Sequence, residues 1–330
     1  MRFAAQTSVI ALALALTLVF LVLTSSAAAP RASTRPGFVG ISVHSLTSNE
    51  ADLVKLAGAQ WVRADVAELP GEYSFAEIVA NAKSRGIKVL GILDIWTMGW
   101  DWNFSLNDWE EAVRVNVGQY RNDVDAWEIW NEPEYPSNPL APERYFAMLR
   151  TAYSIIKDYA PQSEVLMGGG LHLNTGGDSW LEQDQAFAKR LSELGADQYA
   201  DGISLHAYPW TNQVSNWVWE KYSESLNFYK SLFRKTLQVW ITETGYPAQE
   251  EGDNSQAAYL TEAISFFGAR AVNAMFWYEL RDTPYSNPTP SFGLFTDTLA
   301  ARPAFCSLQT LLVGQQTQST MCAHLSGGAA

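Results

Sequence analysis

From about residue 37 onward, short runs of apolar and β-branched residues alternate with longer stretches whose apolar positions recur every three or four residues. The short runs read as buried strands and the longer stretches as amphipathic helices, so their alternation predicts βα units on a parallel sheet. Eight strand candidates follow one another: 38–43, 61–66, 89–93, 126–130, 164–167, 202–205, 238–242 and 274–277. The first helix is announced by Thr47-Ser48-Asn49-Glu50, a capping-box pattern, with Leu53, Val54, Leu56 and Ala57 at near-helical spacing. The second carries Phe75, Ile78, Val79 and Ala82 and runs out at Gly86, a suitable left-handed cap. Eight such units predict an α/β fold, a single (β/α)8 barrel. A doubly wound open sheet is the competing architecture, but it carries a glycine phosphate loop after its first strand, where this chain reads Ser42-Val43-His44-Ser45.

Segment lengths point the same way. The stretches that follow strands are long (96–107, 133–142, 208–216 and 279–295), whereas helix-to-strand joins such as Ser84-Arg85-Gly86 are tight. Barrel enzymes carry their chemistry in the loops after the strands, so the functional face is expected there. The barrel is expected over 37–316, with a linker over 29–36 and a C-terminal tail over 317–330. Ahead of it, Arg2, the apolar run 9–23 and Ser26-Ala27-Ala28-Ala29 follow the order of a secretory signal peptide, with cleavage expected after Ala28 and export of the remainder. The competing reading is an uncleaved membrane anchor with the barrel outside, since 4–23 approaches the ~20 residues of a spanning helix.

Composition narrows the function classes. Hydrophobic residues make up 47% of the chain and charged residues 17%, which excludes a disordered or collagen-like protein. Lys plus Arg number 22 against 35 Asp plus Glu, a formal charge of -13. Nucleic acid is therefore not an expected partner, because phosphate backbones are held by clustered cations. The two cysteines, Cys306 and Cys322, make no zinc site without a histidine cluster. In an oxidising compartment they can pair and tie the tail to the preceding helix, which for a loop of about 16 residues contributes ~3 kcal/mol in the chain-entropy account. His44, His172, His206 and His324 show no metal-binding spacing, and the chain has no Gly-x-Ser-x-Gly elbow and no phosphate loop. No metal, no cofactor, and neither esterase nor nucleotide chemistry is expected.

The candidate chemistry lies at two strand ends. The fourth strand leads into Trp127-Glu128-Ile129-Trp130-Asn131-Glu132-Pro133-Glu134, and the seventh into Ile241-Thr242-Glu243-Thr244-Gly245-Tyr246-Pro247. A carboxylate at the C-terminal end of a barrel strand points into the loop-lined cavity. Two facing carboxylates are what glycoside hydrolysis needs, one to protonate the departing oxygen and one to attack the anomeric carbon or activate water. Spacing alone leaves helix caps and rim ion pairs open as alternatives.

Taken together, Trp130-Asn131-Glu132-Pro133 and Ile241-Thr242-Glu243-Thr244-Gly245 resemble the fourth- and seventh-strand signatures of the clan A glycoside hydrolases. The resemblance extends over nearly all of the chain after residue 36. Arg63 is similar to that clan's second-strand arginine, His206-Ala207-Tyr208 to its sixth strand and Trp277 to its eighth-strand tryptophan, while Gly293-Leu294-Phe295 with Arg302-Pro303-Ala304-Phe305 looks like the start of its last helix. The Trp-Glu-Ile-Trp-Asn-Glu-Pro run looks like family 39. The size is nearer family 5, whose third-strand histidine is replaced here by Asp94-Ile95-Trp96.

The resemblance implies a retaining enzyme with Glu132 as general acid/base and Glu243 as nucleophile. Asn131 would then donate to the sugar 2-hydroxyl. Because it is adjacent to Glu132, both can face sugar only if the strand has already ended, as Pro133 indicates. Arg63 and Tyr208 are expected to keep Glu243 ionised, whereas aromatic walls are expected to push Glu132 upward so that it can donate a proton. His206 is expected to orient Glu132 or bind sugar, and His44 and His172, at the first and fifth strand ends, are within reach of the cleft. Of 13 tryptophans, Trp96, Trp100, Trp102, Trp130, Trp210, Trp217, Trp219 and Trp277 fall at strand ends or in the stretches after them. Their flat apolar faces suit sugar rings. Trp96, Trp210 and Trp277 are the leading sugar contacts, with Trp277 the platform by resemblance. The expectation is a monomer that cuts an extracellular β-linked polysaccharide (cellulose or other β-glucan, mannan or xylan) within the chain. An exo-acting β-glycosidase such as a β-xylosidase, and an inactive glycan-binding barrel, are the alternatives.

Overall fold

The computed structural model describes residues 37–69, 71, 73–135, 139–173, 178–209, 214–283, 291–314 and 320–322. The expected signal over 1–28, the linker, Trp210 and most of the tail lie outside the described residues. Eight parallel strands close into one barrel: β1 (Val39–Ser42), β2 (Trp61–Asp65), β3 (Lys88–Leu93), β4 (Ala126–Ile129), β5 (Glu164–His172), β6 (Gly202–Ala207), β7 (Gln238–Thr244) and β8 (Ala274–Trp277). Each strand pairs with its sequence neighbours, and β8 pairs with β1. All match the predicted strands to within two residues except β5, which runs five residues past the predicted end. Strands buried on both faces lack a polar side, and for that reason they read as near-continuous apolar runs.

Around the barrel lie α1 (Ser48–Ala57), α2 (Phe75–Lys83), α3 (Leu106–Tyr120), α4 (Pro142–Tyr159), α5 (Asp178–Leu194), α6 (Asn216–Leu232), α7 (Asp253–Gly268) and α8 (Pro303–Leu312). The capping box of α1 forms as expected: Thr47 Oγ1 accepts from the Glu50 N–H, and Glu50 Oε2 accepts from the Thr47 N–H at 2.8 Å. A hairpin of Glu68–Leu69 with Tyr73–Ser74 had no sequence signal. Cys306, on α8, is disulfide-bonded to Cys322. Among the described residues no helix is long and apolar enough to cross a membrane.

The barrel interior is layered. Trp61, Leu90, Ala126, Leu166, Trp240, Ala274 and Phe276 form an apolar plug at its N-terminal end. Two residues further along four of the strands the inward positions turn polar: Arg63 on β2, Glu128 on β4, Ser204 on β6 and Thr242 on β7 meet in one buried network.

The next layer depends on two shifts of register, one of which breaks this alternation. Regular alternation along β7 would send Trp240, Thr242 and Thr244 inward and turn Glu243 toward the helices. Instead Leu205 pairs with Ile241 while His206 pairs with Glu243, so an extra residue at Thr242 re-phases the strand and turns Glu243 to the side that His206 faces. On β5, Met167 pairs with Ile203 but Leu171 pairs with Leu205 and His172 with His206, so the Gly168-Gly169-Gly170 stretch makes a second bulge. Gly168 sits at φ +107, and a Cβ there would meet the Ser204 carbonyl at 2.9 Å, so only glycine fits.

Candidate active site

A cavity of about 350 Å³ opens at the C-terminal ends of the strands, and Arg63, Asn131, Glu132, Tyr208, Glu243 and Trp96 all line it. A larger one, about 460 Å³, lies at the opposite end of the barrel beside Lys88, Asp125 and Asn273, away from the two glutamates. The strand-end cavity is the one that gathers the expected chemistry. Glu132 and Asn131 both reach it because β4 stops at Ile129 and the chain then adopts left-handed backbone at Trp130 (φ 68) and Glu132 (φ 47). Such backbone is sparsely populated by non-glycine residues and persists where surrounding contacts enforce it.

Glu243 is gripped from two sides. Arg63 Nη1 donates to its Oε1 at 2.6 Å and the Tyr208 hydroxyl to its Oε2 at 2.7 Å. The same guanidinium donates through Nε to Glu128 at 2.6 Å and through Nη2 to Asn131 Oδ1 at 2.9 Å. An arginine only donates, so it orients the Asn131 carbonyl oxygen toward itself and leaves the Asn131 amide donors pointing elsewhere. Glu128 is fully buried, which acts to raise its pKa, yet Arg63, His206 and Ser204 together hold it below the ordinary carboxylate value.

Glu132 meets a different environment from the aromatic one expected. Its Oε1 lies 3.0 Å from His206 Nδ1 and 3.5 Å from His172 Nε2. Burial pushes the carboxyl up, but the two imidazoles outweigh it and hold Glu132 well below the usual carboxylate range, which corrects the expected upward shift. His172 is pushed to about 10. Burial opposes its charge, and Asp184 at 3.1 Å from Nδ1, together with Glu132, overcomes that. Beside them Glu134 is 1% exposed with neither carboxyl oxygen hydrogen-bonded, and burial pushes it up to about 8. His206 Nδ1 also lies 3.5 Å from Glu243 Oε2, so one nitrogen stands between the two glutamates. Two sets, Glu132 with His172 and His206, and Glu134 with His172 and Asp184, have ligand atoms close enough to hold a metal ion.

Two aromatic expectations change. Trp277 is fully buried, its indole N–H donating to the Phe292 carbonyl, so it belongs to the core; Tyr278, the next residue, lines the cavity in its place. Trp130 is buried as well, and Trp219 stacks on Tyr259. Trp96 stands against Trp100, which is 52% exposed, and Trp102 packs edge-on over Trp130, so the aromatic rim comes mainly from the stretch after β3. Asp94, Asp65 and His44 also line the cavity, with His44 Nε2 3.0 Å from the Tyr278 hydroxyl. Burial raises Asp94 well above the ordinary value. Asp184 and Glu134 had no motif to reveal them; the signal that existed for His172 was its place at the fifth strand end.

No family model matches the chain. The fold is shared with glycoside hydrolases of several families that make up clan A. A family 39 glycoside hydrolase from Bacteroides cellulosilyticus superposes with a TM-score of 0.64 at 22% identity, covering 87% of this chain and 65% of that one. A family 5, subfamily 18 protein from Streptomyces cattleya in complex with GlcNAc gives 0.62 at 16% identity over 87% and 82%. Among curated proteins, the probable glucan endo-1,3-beta-glucosidase of Aspergillus niger is 29% identical over 204 residues, 59% of this chain and 41% of its own length. That of Aspergillus clavatus is 33% identical over 216 residues, 59% and 42%. The matched region spans less than half the length of these relatives.

Proposed function

We propose that this protein is a secreted, retaining glycoside hydrolase that cuts β-linked glucan within the chain, with β-1,3-glucan the foremost candidate. The observation that carries the reading is the single imidazole nitrogen between the glutamates. With His206 Nδ1 at 3.0 Å from Glu132 Oε1 and 3.5 Å from Glu243 Oε2, those oxygens are no farther apart than the sum, about 6.5 Å. Retaining enzymes hold their carboxyls ~5–5.5 Å apart, and inverting ones ~6.5–9.5 Å to admit a water. Glu243, aimed by Arg63 and Tyr208, attacks the anomeric carbon while Glu132 protonates the departing oxygen; Glu132 then takes a proton from the water that releases the sugar. The Asn131 amide, turned away from Arg63, is placed to donate to a sugar hydroxyl.

The glucan assignment draws on the names of the curated relatives, and the export reading on the leader pattern of residues 1–28. Trp96, Trp100 and Trp102 along one rim favour several successive sugar positions over a single pocket. The test is a time course on β-1,3-glucan, cellulose, mannan and xylan with NMR of the first anomer formed. A ladder of oligosaccharides with retained configuration is expected on β-1,3-glucan. Monosaccharide as sole first product overturns internal cleavage, and an inverted anomer overturns the double displacement.

A further inference from the structure

We propose that Asp65 and Asp94 are specificity-determining residues that take the 4- and 6-hydroxyls of the glucosyl unit seated between the two glutamates, and so select a β-1,3-linked glucan over a β-1,4-linked one. This rests on the β-1,3-glucan reading of the cavity and deepens it. Both aspartates line that cavity, yet neither has a part in the double displacement. Asp94 is also the residue at which the sequence departs from the family 5 pattern.

Strand register brings the two together. Asp65 follows Arg63 by two residues on β2 and so faces the same way, into the barrel. It pairs with Ile92 on β3, and Asp94 lies two residues beyond Ile92, in phase with Leu90 of the apolar plug. The segments that carry them are fastened to each other. The Val66 N–H donates to the Ile92 carbonyl at 2.9 Å, and the Thr97 hydroxyl accepts from the Asp94 N–H at 3.1 Å while donating to the Val66 carbonyl at 2.9 Å. Asp94 is 3% exposed, and its Oδ1 accepts from the Trp96 N–H at 2.9 Å, so the carboxyl and the indole are held in one turn. The Tyr73 hydroxyl pins the Asp65 carbonyl. The Asp65 carboxyl itself makes no hydrogen bond and no ion pair with any described residue, so its acceptor oxygens reach the cavity unfilled.

In the closed barrel β2 and β3 lie across from β6 and β7, which lead to Tyr208 and carry Glu243. A sugar whose anomeric carbon meets Glu243 therefore turns its opposite edge, with positions 3, 4 and 6, toward Asp65 and Asp94. Inside a β-1,3-glucan, position 3 is spent on the linkage, and positions 4 and 6 keep their hydroxyls. Inside a β-1,4-linked chain, position 4 carries the next sugar, and a xylosyl unit has no position 6. A hydroxyl donates to a carboxylate and accepts from a carboxylic acid, so the pair holds a diol whichever form its members take. A glycosidic oxygen brings no proton, and against these carboxyls it fails to replace the water they give up. Trp96, fixed beside Asp94, offers an apolar face to the same sugar.

The test uses the full chain and an aryl β-1,3-diglucoside, with analogues that lack the 4- or the 6-hydroxyl on the unit next to the aryl group. The kcat/KM of the native protein is expected to fall about a hundredfold or more for each analogue, because a site built on a hydroxyl rejects the compound without it. Asp65→Ala and Asp94→Ala are expected to lose as much on the parent and little more on the analogues, so that the preference shrinks toward one. Asp65→Asn and Asp94→Asn, which keep one acceptor oxygen, should fall between. Equal use of parent and analogues by the native protein overturns the proposal, and that result needs no variant to fold. So does a preference that survives in both alanine variants, faster cleavage of a β-1,4-linked glucan, or a stoichiometric divalent ion that Asp65→Ala abolishes. Calorimetry in a Glu243→Ala background, where nothing is cut, separates this inference from the hydrolase reading. Binding of a β-1,3-linked oligosaccharide that weakens tenfold or more on adding either alanine substitution supports the clamp even if the native protein turns over no glycan. Binding unchanged by both overturns it even in an active hydrolase, and absence of binding overturns it together with the glucan assignment.

Discussion

The two glutamates share His206 as a neighbour and differ in nearly everything else. Glu243 is held by an arginine and a tyrosine, groups that keep their charge state through the neutral range, and behind them stands the buried network of Glu128, Ser204 and Thr242. Glu132 is held by imidazoles backed by carboxyls, all of them able to exchange protons. One wall is a fixed charge pattern suited to a nucleophile that must stay ionised, and the other is a titrating cluster suited to a group that must gain and lose a proton. In the double displacement proposed above, the two jobs are separated by the chemistry of the supporting residues.

The sharpest way to break this contrast is to remove each carboxylate in turn. Glu243→Ala is expected to bring turnover of polysaccharide and aryl glycoside alike to background. Glu132→Ala is expected to lose ~10²–10⁴ on polysaccharide and to spare the formation of the glycosyl-enzyme from activated aryl glycosides, seen as a burst of aryl release. Similar losses on both substrates in both variants would show that the division of roles is wrong.

Removing the fixed charge comes next. Arg63→Met leaves Glu128 buried without its cation, and a loss of about 3–5 kcal/mol is expected from the denaturant midpoint. The double variant Arg63→Met/Glu128→Gln should regain much of that stability without regaining activity. If activity returned with stability, Arg63 would serve the fold alone. A smaller effect is expected from Tyr208→Phe, which deletes one hydrogen bond to a carboxylate. On the ~1.5–3 kcal/mol scale of such bonds kcat should fall about tenfold or more, with the fold intact by circular dichroism; an unchanged kcat would remove Tyr208 from the site.

The smallest effect should come from the titrating wall. The pKa of Glu134 rises on folding from 4.5 to about 8, so the folded state holds its proton more tightly. Its contribution therefore favours folding fully below about pH 4.5 and fades as the pH climbs toward 8. The melting temperature of the native protein should drop relative to that of Glu134→Gln between pH 5 and 8. Parallel curves would show that Glu134 is ionised in the fold and that its surroundings have been misjudged.

Much of this molecule was legible in one dimension. Eight apolar runs separated by helical periods dictate a barrel, because strands covered on both faces must be apolar throughout, and the capping box at Thr47 and Glu50 is a local pattern that folds as written. The two glutamate motifs stood out for the same reason: each is a few adjacent residues whose meaning does not depend on distant partners. The burial of Trp277 was not legible, because its position at the end of β8 says nothing about depth and the carbonyl that takes its indole N–H belongs to Phe292, 15 residues on.

What the sequence determined by itself was the order of elements and the two strand-end motifs that carry Glu132 and Glu243. Only the tertiary structure decided which way they face. Alternation along β7 would have turned Glu243 outward, and one extra residue there re-phases it; on β5 two extra residues, beside a Gly168 that only glycine can fill, keep the phase but bring His172 level with His206. A bulge is specified by the register of the neighbouring strand, and register is a relation between segments distant in sequence. For the same reason Asp184, from the helix after β5, and Glu134, from the segment after β4, meet at one imidazole that no local pattern could have assigned to them.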